Sequence, residues 1–408
     1  MRTSAWWIAG LAGALGCTIA CGCGKNDPPH GSGLNSGTGG TGNTGNTGGT
    51  GGAAAQGGTG ATGGAVSFAI VDVPTTACVG LGAAPVELYA AFAIPGLYRL
   101  TPVGARWAAG MGHNSGFVVF DGDGQNASAA PVSLGDLDRI AGSSSGLSVA
   151  TTVGEAAQYG RYDAQAASVG SPATIATGTI WDVEVGRAGD EAMVVVNSAE
   201  GPKARPVSAS GEPAALFDLE AGTLVDAFSV AVTAADPSGF AITWSDRRVA
   251  DSKYRTFIAF ADASGMQGLV REVHTGTAWH RTVQVVATPS GYALLQELDG
   301  VPLVVSLDEN GLVSGPAHRF VGTMGAWGIA SNGTGLVVLV KRDDNREAFR
   351  ALDLAGAPVG DWVCLNASST ANEHAGAIHA DGNGFAVIFR ATDDSEQLVK
   401  IADPVQGI

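Results

Sequence analysis

Aspartate follows several apolar runs in this sequence, and carboxylates gathered around one opening could hold a calcium ion or a basic partner. Six such residues are Asp121, Asp123, Asp246, Asp299, Asp343 and Asp393. Aspartate is also a frequent turn residue, because its side chain bonds to the backbone two residues further on. The pattern therefore predicts an acidic face without assigning a metal. We predict no bound cofactor, and calcium is the one ion that the pattern suggests.

Two short motifs have the form of chemical sites but lack the context that those sites need. The segment Gly142–Gly146 reads GSSSG, the pattern around a hydrolase nucleophile, here Ser144. That nucleophile stands between a strand and a helix, whereas this segment is a stretch of glycine and serine. The segment DGDGQN begins like a calcium loop, but Asn126 stands where an EF-hand has glycine. We predict a glycine- and serine-rich loop at the first place and a hairpin turn at the second.

The histidines do not form a recognisable metal or catalytic set. No two of the seven have the i, i+4 spacing of a helical zinc motif. We interpret them as surface or hydrogen-bonded residues. The segment SDRR, Ser245–Arg248, is predicted to be an exposed hairpin tip. No residue is assigned a catalytic role.

A repeated phrase supplies the framework that would position these residues. Its copies read ADPSGFAITW from Ala235, ATPSGYALLQ from Ala287 and ADGNGFAVIF from Ala380. In each, a turn ends in glycine and an apolar run follows, as in a hairpin that leads into a buried strand. The copies lie about fifty residues apart, which is a repeat-protein period. Related copies occur at Gly116, Gly189 and Gly335.

A second repeated mark has an Asp, Ser or Thr and, in most copies, a glycine three residues later, which suits a type I turn. Its copies start at Thr101, Asp163, Ser208, Asp262, Asp308, Asp353 and Asp403. A unit of about 45–50 residues with two hairpins has the size of a four-stranded propeller blade. Seven marks predict an all-β chain folded as a seven-bladed β-propeller, with six or eight blades as alternatives. The long interval after Thr101 is interpreted as an insertion near residues 136–146.

The two ends of the repeat region predict how the ring closes. The last unit stops just after Asp403 and lacks an outer strand, while VSFAIVDV, Val66–Val73, has no unit of its own. We predict that this N-terminal strand completes the last blade, which would remove an open sheet edge. Such closure resembles that of WD-repeat and Kelch propellers. The diagnostic residues of those two families are missing, and the repeats resemble bacterial propeller repeats in general.

Composition limits the partners. The 408 residues carry a net charge of −16 and include 61 glycines. An acidic surface repels phosphate backbones, so we do not expect nucleic acid as a partner. The expected ligand is an unknown protein or glycan, and the chain is expected to be a monomer.

The first twenty residues have the form of an export signal. Arg2 precedes an apolar run that is too short to span a bilayer, and small residues follow. The end of this run resembles the lipobox of bacterial lipoproteins, in which a cysteine after small residues becomes the lipidated first residue. The resemblance favours Cys21, with Cys23 as the alternative. Gly22 or Gly24, instead of aspartate, then implies the outer membrane or cell surface; a periplasmic or secreted protein is the alternative.

Residues 21–65 are predicted to be a tether, followed by the propeller at residues 66–408. The segment Gly31–Gly64 consists mainly of glycine, threonine, asparagine and alanine and has no charged residue. Too few apolar side chains are available to offset the entropy of ordering. A glycine-rich coil of this length spans about 30–35 Å. Contact with the membrane is expected only through the lipid.

Two cysteines lie in the predicted propeller, Cys78 and Cys364. An exported chain with two such residues favours a disulfide between them. The predicted register places them on connections between blades, at one face of the ring and one blade apart.

These features predict a binding or scaffolding module at the cell envelope. One alternative is a propeller-type envelope enzyme, such as a hydrolase, a lyase or a quinone-dependent dehydrogenase, with its site at the channel mouth. Another is a purely structural envelope protein. Fold alone does not argue for an enzyme.

Overall fold

The computed structural model describes residues 68–80, 86–92, 97–111, 116–124, 139–219, 224–235, 239–248, 253–365, 376–390 and 396–403. In these ranges, all regular secondary structure consists of β-strands. No helix in them has the length and apolar character needed to cross a membrane. The predicted signal peptide and tether, with Cys21 and Cys23, lie outside the described residues.

In the described ranges, 29 strands form seven sheets, which we call blades one to seven. Three strands come before the first blade: β1 (Ile70–Pro74), β2 (Val79–Gly80) and β3 (Val86–Phe92). Blade one contains β4 (Leu97–Val103), β5 (Arg106–Met111) and β6 (Phe117–Asp121). Blade two contains β7 (Arg139–Ser143), β8 (Gly146–Val153), β9 (Ala156–Tyr162) and β10 (Ala173–Thr177). Blade three contains β11 (Ile180–Ala188), β12 (Glu191–Ser198), β13 (Gly201–Val207) and β14 (Phe217–Asp218).

Blade four contains β15 (Leu224–Ala235), β16 (Gly239–Arg248), β17 (Tyr254–Asp262) and β18 (Gly265–Gly276). Blade five contains β19 (His280–Thr288), β20 (Gly291–Leu298), β21 (Val301–Asp308) and β22 (Ala317–Val321). Blade six contains β23 (Thr323–Ser331), β24 (Leu336–Arg342), β25 (Glu347–Leu352) and β26 (Pro358–Cys364). Blade seven contains β27 (Gly376–Asp381), β28 (Gly384–Arg390) and β29 (Glu396–Ile401).

The seven blades form a closed ring. The first strand of each blade contacts the first strand of the next, and β27 of blade seven contacts β4 of blade one. The middle strands are apolar on both faces because each blade lies between two others. In β12, Met193 and Val195 pack toward blade four, while Val194 and Val196 pack toward blade two. The predicted seven-bladed β-propeller is therefore confirmed.

An N-terminal strand closes the last blade, as predicted, but it is a different strand. β3 pairs with β29 in antiparallel register, from Val86 opposite Ile401 to Phe92 opposite Glu396. The assignment of this role to Val66–Val73 was wrong. Within that segment, β1 instead pairs in parallel with β22 and adds a fifth strand to blade five.

The edge of blade five holds β1 with a charge pair as well as backbone bonds. Arg319 donates from Nε and Nη2 to the two carboxylate oxygens of Asp72, at 2.7 and 3.0 Å. Two parallel bonds of this kind add geometric specificity to an ion pair. This pairing gives β1 a defined place on blade five rather than on blade seven.

The predicted disulfide between Cys78 and Cys364 is present, with 5.6 Å between the Cα atoms. The predicted placement, on connections one blade apart, was wrong, because both cysteines lie at blade six. Cys78 directly precedes β2, and β2 pairs in parallel with Val363 and Cys364 of β26. The chain before the propeller thus runs along the outer edges of blades five and six before it closes blade seven.

The repeated glycine and the repeated aspartate meet within one blade. Gly291 opens the second strand of blade five and pairs with Asp308, which ends the third strand. Gly291 has a φ of 139°, a backbone conformation that residues other than glycine rarely adopt. A Cβ atom there would lie closer than 3.0 Å to backbone atoms of Leu307 and Asp308. The same approach to a third-strand carbonyl oxygen occurs at Gly146, Gly239 and Gly384.

The aspartate of the second mark caps its own turn. Oδ1 of Asp308 accepts hydrogen bonds from the backbone N–H groups of Asn310 and Leu312, at 2.9 and 2.8 Å. The carboxylates of Asp163 and Asp353 accept from the same two positions of their turns. The fourth residue of these turns has positive φ at Gly311 and Gly356, and at Ala166 in blade two. The turn chemistry predicted from the sequence is confirmed in these blades.

The predicted register of blade one was wrong by one hairpin. Thr101 lies in β4, directly before the turn from the first to the second strand. The turn after the third strand is at Asp121, where the N–H of Gly124 donates to the Asp121 carbonyl at 2.8 Å. The GSSSG segment lies between β7 and β8 as an ordinary hairpin turn. The interval after Thr101 therefore needs no insertion, because the true mark of this blade is Asp121.

Candidate functional site at the channel mouth

Strand order gives the ring two different faces. In each antiparallel blade, the turn from the first to the second strand lies at one end, and the turn from the second to the third strand lies at the other. Turns of the first kind contact each other between neighbouring blades: the Gly104 N–H donates to the Ser143 carbonyl, and Asn332 Nδ2 donates to the Asn383 carbonyl. We call the opposite end, where the first strands begin, the connection face.

The structure does not bring the six predicted aspartates together. Asp246 lies near the end of the second strand of blade four, and Asp299 and Asp343 follow the second strands of blades five and six, at the connection face. Asp121 and Asp123 lie at the other face, because the true register makes β6 a third strand. Asp393 lies outside the described residues.

These aspartates also differ in their surroundings. Asp246 is fully buried. Oδ1 of Asp299 accepts a hydrogen bond from the backbone N–H of Trp279 at 2.9 Å, and Asp121 is paired with Arg106 at 2.9 Å. Among the described residues, no group of three or more His, Cys, Asp or Glu side chains could hold a metal ion. A calcium site on this face stays a prediction.

A channel runs through the ring and widens into two cavities. The larger, about 360 Å³, is lined by residues of all seven first strands, many of them apolar, together with Arg99, Glu184, Arg187, Gln284 and His379. The smaller, about 250 Å³, opens where the first strands begin, at the connection face. We call it the mouth cavity. Its lining includes the charged residues Arg99, Arg139, Asp182, Glu184 and Arg281.

An ion-pair network joins four blades at the mouth cavity. Arg99 of blade one donates to the Glu184 carboxylate of blade three. Arg139 of blade two donates to Glu184 at 3.0 Å and to Asp182 at 3.2 Å. The other oxygen of Asp182 accepts from the Val230 N–H of blade four at 3.4 Å. The charged groups are therefore fixed relative to each other by the ring itself.

Glu184 is the centre of this network. Its side chain is 11% exposed. Burial raises the pKa of its carboxyl, while the guanidinium groups of Arg99 and Arg139 oppose that rise. A buried charge of this kind is tolerated only with good partners. The two arginines supply them, so removal of either would leave Glu184 without full compensation.

A second connection runs from blade five to blade six. Arg281 lies 3.5 Å from Glu297, and 49% of the Arg281 side chain is exposed. Glu297 also accepts the Ala326 N–H at 2.9 Å, and Gln284 accepts the Ile329 N–H at 3.0 Å. Side chains of one blade thus bind the backbone of the next at the channel.

β-Bulges occur on several first strands near the mouth. The register shifts between Leu97 and Arg99 in β4, between Ile180 and Asp182 in β11, and between Thr282 and Gln284 in β19. A bulge re-aims the side chains around it. In β11 the extra residue is Trp181, which lines the mouth cavity and is 42% exposed.

Sequence reasoning missed every residue of the mouth cavity. One signal was present: in IWDVEV, Asp182 and Glu184 alternate with Val183 and Val185. This alternation predicts a strand with one polar face, and the closed ring turns that face toward the channel. The arginines had no comparable signal, since they come from separate blades.

A second polar cluster lies between blades four and five, where two predictions were wrong. Ser245 and Asp246 of SDRR are fully buried in β16 instead of exposed at a hairpin tip. His280 is also fully buried, and neither of its ring nitrogens has a hydrogen-bond partner among the described residues. Its ring stacks on His274 with centroids 4.2 Å apart.

Both stacked histidines are neutral at ordinary pH. Burial lowers the pKa of His280 to about 3 and that of His274 to about 4. Two neutral rings can stack without charge repulsion, which suits an apolar contact between blades. The geometry gives them a packing role, and in the part of the chain that the structure describes no third group stands with them to form a metal site.

The fold and the mouth cavity define a seven-bladed β-propeller with a polar cavity at one end of its channel. No protein-family model matches the chain, and no curated protein sequence matches it. The solved structure of the Dos1 propeller is similar, with a TM-score of 0.50 and 11% identity over 78% of this chain and 95% of that one. At that identity the likeness shows the fold alone.

Two further propellers are less similar. The β-propeller domain of Cps50 (Swd1) from Myceliophteria thermophila has a TM-score of 0.48, with 11% identity over 78% of this chain and all of that one. KlAtg21, in a complex with the coiled coil of AgAtg16, has a TM-score of 0.47, with 13% identity over 73% of this chain and 91% of that one.

Proposed function

We propose that this protein is a binding module held at the cell envelope, and that its mouth cavity is the binding site. The observation that carries this proposal is the ion-pair network of Arg99, Arg139, Asp182 and Glu184. It fixes donors and acceptors from several blades around an open cavity, so little ordering is left to occur when a ligand binds.

The network supports binding more than catalysis. Both carboxylates of the cavity accept hydrogen bonds from arginine, so their lone pairs hold the network together. A general acid or base needs a proton that it can exchange with a substrate. A propeller enzyme with its site at the same mouth is the alternative, and it would need groups beyond this network.

Three features support the location. The sequence begins with a signal-like segment, and Cys21 or Cys23 suits a lipid anchor. The tether would separate the propeller from the membrane. The Cys78–Cys364 disulfide fits an oxidising compartment outside the cytoplasm. Together these features support our proposal of an outer-membrane or cell-surface lipoprotein.

The anchor is tested by fractionation of the source cells. We expect the wild-type chain in the membrane fraction and a Cys21→Ala, Cys23→Ala double variant in the soluble fraction, because each acyl chain contributes about 0.8 kcal/mol per buried CH₂. Mass spectrometry of the mature N-terminus identifies the modified cysteine. Equal distribution of both forms would contradict a lipid anchor at these positions.

The binding site is tested by chemical cross-linking in the isolated envelope, with full-length protein. We expect specific adducts, identified by mass spectrometry, for the wild type and for Leu269→Ala, whose side chain is 58% exposed on the outer strand of blade four. Trp181→Ala with Arg281→Ala should reduce their yield at least tenfold. Equal yields from all three proteins would show that the mouth cavity is not the binding site.

A further inference from the structure

We propose that the mouth cavity binds a neutral saccharide. The indole ring of Trp181 would lie against one face of a sugar ring, and the arginine–carboxylate pairs would bond its hydroxyl groups. This inference rests on the proposed function and deepens it by naming the ligand class.

Trp181 provides the apolar surface that a sugar ring needs. Its side chain is 42% exposed at the cavity, where the β11 bulge directs it. An aromatic face carries partial negative charge and attracts the polarised C–H groups on one side of a sugar ring. Covering this ring also removes apolar surface from water, at about 25 cal/mol per Å².

The three arginines of the cavity are balanced by its two carboxylates together with Glu297, which is paired with Arg281 but lies outside the cavity lining. Arg99, Arg139 and Arg281 are offset by Asp182, Glu184 and Glu297, to which they are paired. A phosphate or sulfate would have to compete with these carboxylates for the arginines. The net charge of −16 on the chain also opposes an anion.

A hydroxyl group uses such a pair in a different way. It accepts a hydrogen bond from a guanidinium group and donates one to the neighbouring carboxylate at the same time. Each arginine–carboxylate pair can therefore bind one hydroxyl without being broken. Charge-assisted hydrogen bonds are roughly twice as strong as neutral ones, which suits a ligand rich in hydroxyl groups.

Two donors at the cavity are still unsatisfied. The Arg99 Nε–H and the Ser229 hydroxyl are buried and have no hydrogen-bond partner among the described residues. A buried polar group without a partner costs about 1–3 kcal/mol. Ser229 comes from blade four and Arg99 from blade one. Both atoms are closed to solvent, so a ligand in the cavity bonds to them only if neighbouring side chains shift.

The size of the cavity limits how much ligand it encloses. Its volume of about 250 Å³ is below the range of about 300–1,000 Å³ that is usual for drug-sized ligands. The cavity therefore takes one terminal sugar ring, and the remaining rings of a glycan would extend from the connection face.

The test is a printed glycan array probed with the full-length protein in detergent, followed by calorimetric titration with the strongest neutral glycan. The array includes glucose-, galactose-, mannose- and N-acetylglucosamine-terminated glycans, with sulfated and sialylated glycans as the anionic set. We expect a neutral glycan to bind, with at least tenfold weaker affinity for Trp181→Ala. Trp181→Phe, which keeps an aromatic ring, should bind between the two, and Leu269→Ala should match the wild type.

Three results would overturn the saccharide assignment. They are binding to no glycan, binding only to anionic glycans, and binding that Trp181→Ala leaves unchanged. The midpoint of thermal unfolding shows whether each variant is folded. If Trp181→Ala does not fold, Arg281→Ala takes its place in the test. If envelope cross-links still depend on Trp181 and Arg281 while no glycan binds, the binding site stands and only the ligand class is wrong.

Discussion

Replacing Gly291 with valine should lower the free energy of unfolding by about 4–5 kcal/mol, or prevent folding, because two penalties act at one position. The φ of 139° is strained for a β-branched residue. The added side chain would also overlap the Asp308 Cα, since even a Cβ atom there would lie 2.8 Å from it. Relief requires the second and third strands of blade five to separate.

Chemical denaturation measures this effect, and Gly315→Val is the matched control. Gly315 lies in the same blade, has no atom within 4 Å of a Cβ position and has no positive φ. We expect the control to change stability by less than about 1 kcal/mol, as for most surface substitutions. Similar losses in both variants would mean that close strand approach is not the reason for the repeated glycine.

Removing the disulfide should have the second largest effect. Cys78 and Cys364 close a loop with a sequence separation of 286. In the chain-entropy model such a loop restricts the unfolded chain by up to about 5–6 kcal/mol, and measured values are usually smaller. We expect a Cys78→Ala, Cys364→Ala double variant to lose about 3–5 kcal/mol of stability relative to the oxidised wild type.

Denaturation under oxidising and reducing conditions separates the bond from the side chains. The reduced wild type should resemble the double variant, whereas the variant itself should not respond to reductant. Limited proteolysis should then cut first in the segment that carries β1, β2 and β3, which loses its covalent attachment. If oxidised wild type and double variant unfold at the same denaturant concentration, the bond contributes nothing to stability.

The blade number was predictable because its signals are local. The repeated glycine and aspartate pair directly, as Gly291 and Asp308 do, so each reports a backbone contact inside its own blade. Because the contact recurs in several blades, its glycine and its aspartate recur at similar spacings along the sequence. Blade one shows the limit of this pattern. The spacing from Thr101 to Gly104 occurs at the turn between the first and second strands, although in other blades it marks the turn after the third strand.

The closing strand was not predictable in the same way. Val66–Val73 and Val86–Phe92 both precede the first blade, and both are apolar enough to complete a sheet edge. The choice between them depends on partners far along the chain, such as Arg319 for Asp72. Edge pairing is therefore decided by the folded ring rather than by the segment itself.

The candidate site was even less accessible to sequence reasoning. Its arginines and carboxylates come from the first strands of separate blades, and they meet only when the ring closes. Several of the aspartates that were selected from the sequence are turn residues, as the place of Asp299 between β20 and β21 shows. Aspartate in a turn leaves a strong pattern, whereas a single arginine on an inner strand leaves none.

The route of the N-terminal segment determines how the ring would respond to mechanical tension. A pull on the chain before Ile70 acts first on the parallel pairing of β1 with blade five and on the Asp72–Arg319 ion pair. After the hydrogen bond from Arg342 Nη1 to the Thr76 carbonyl, at 3.0 Å, the resistance is covalent, because Cys78 transfers the force to blade six through Cys364. The strand that seals blade seven, β3, lies beyond that bond, so tension on the N-terminal segment would not reach its pairing with β29.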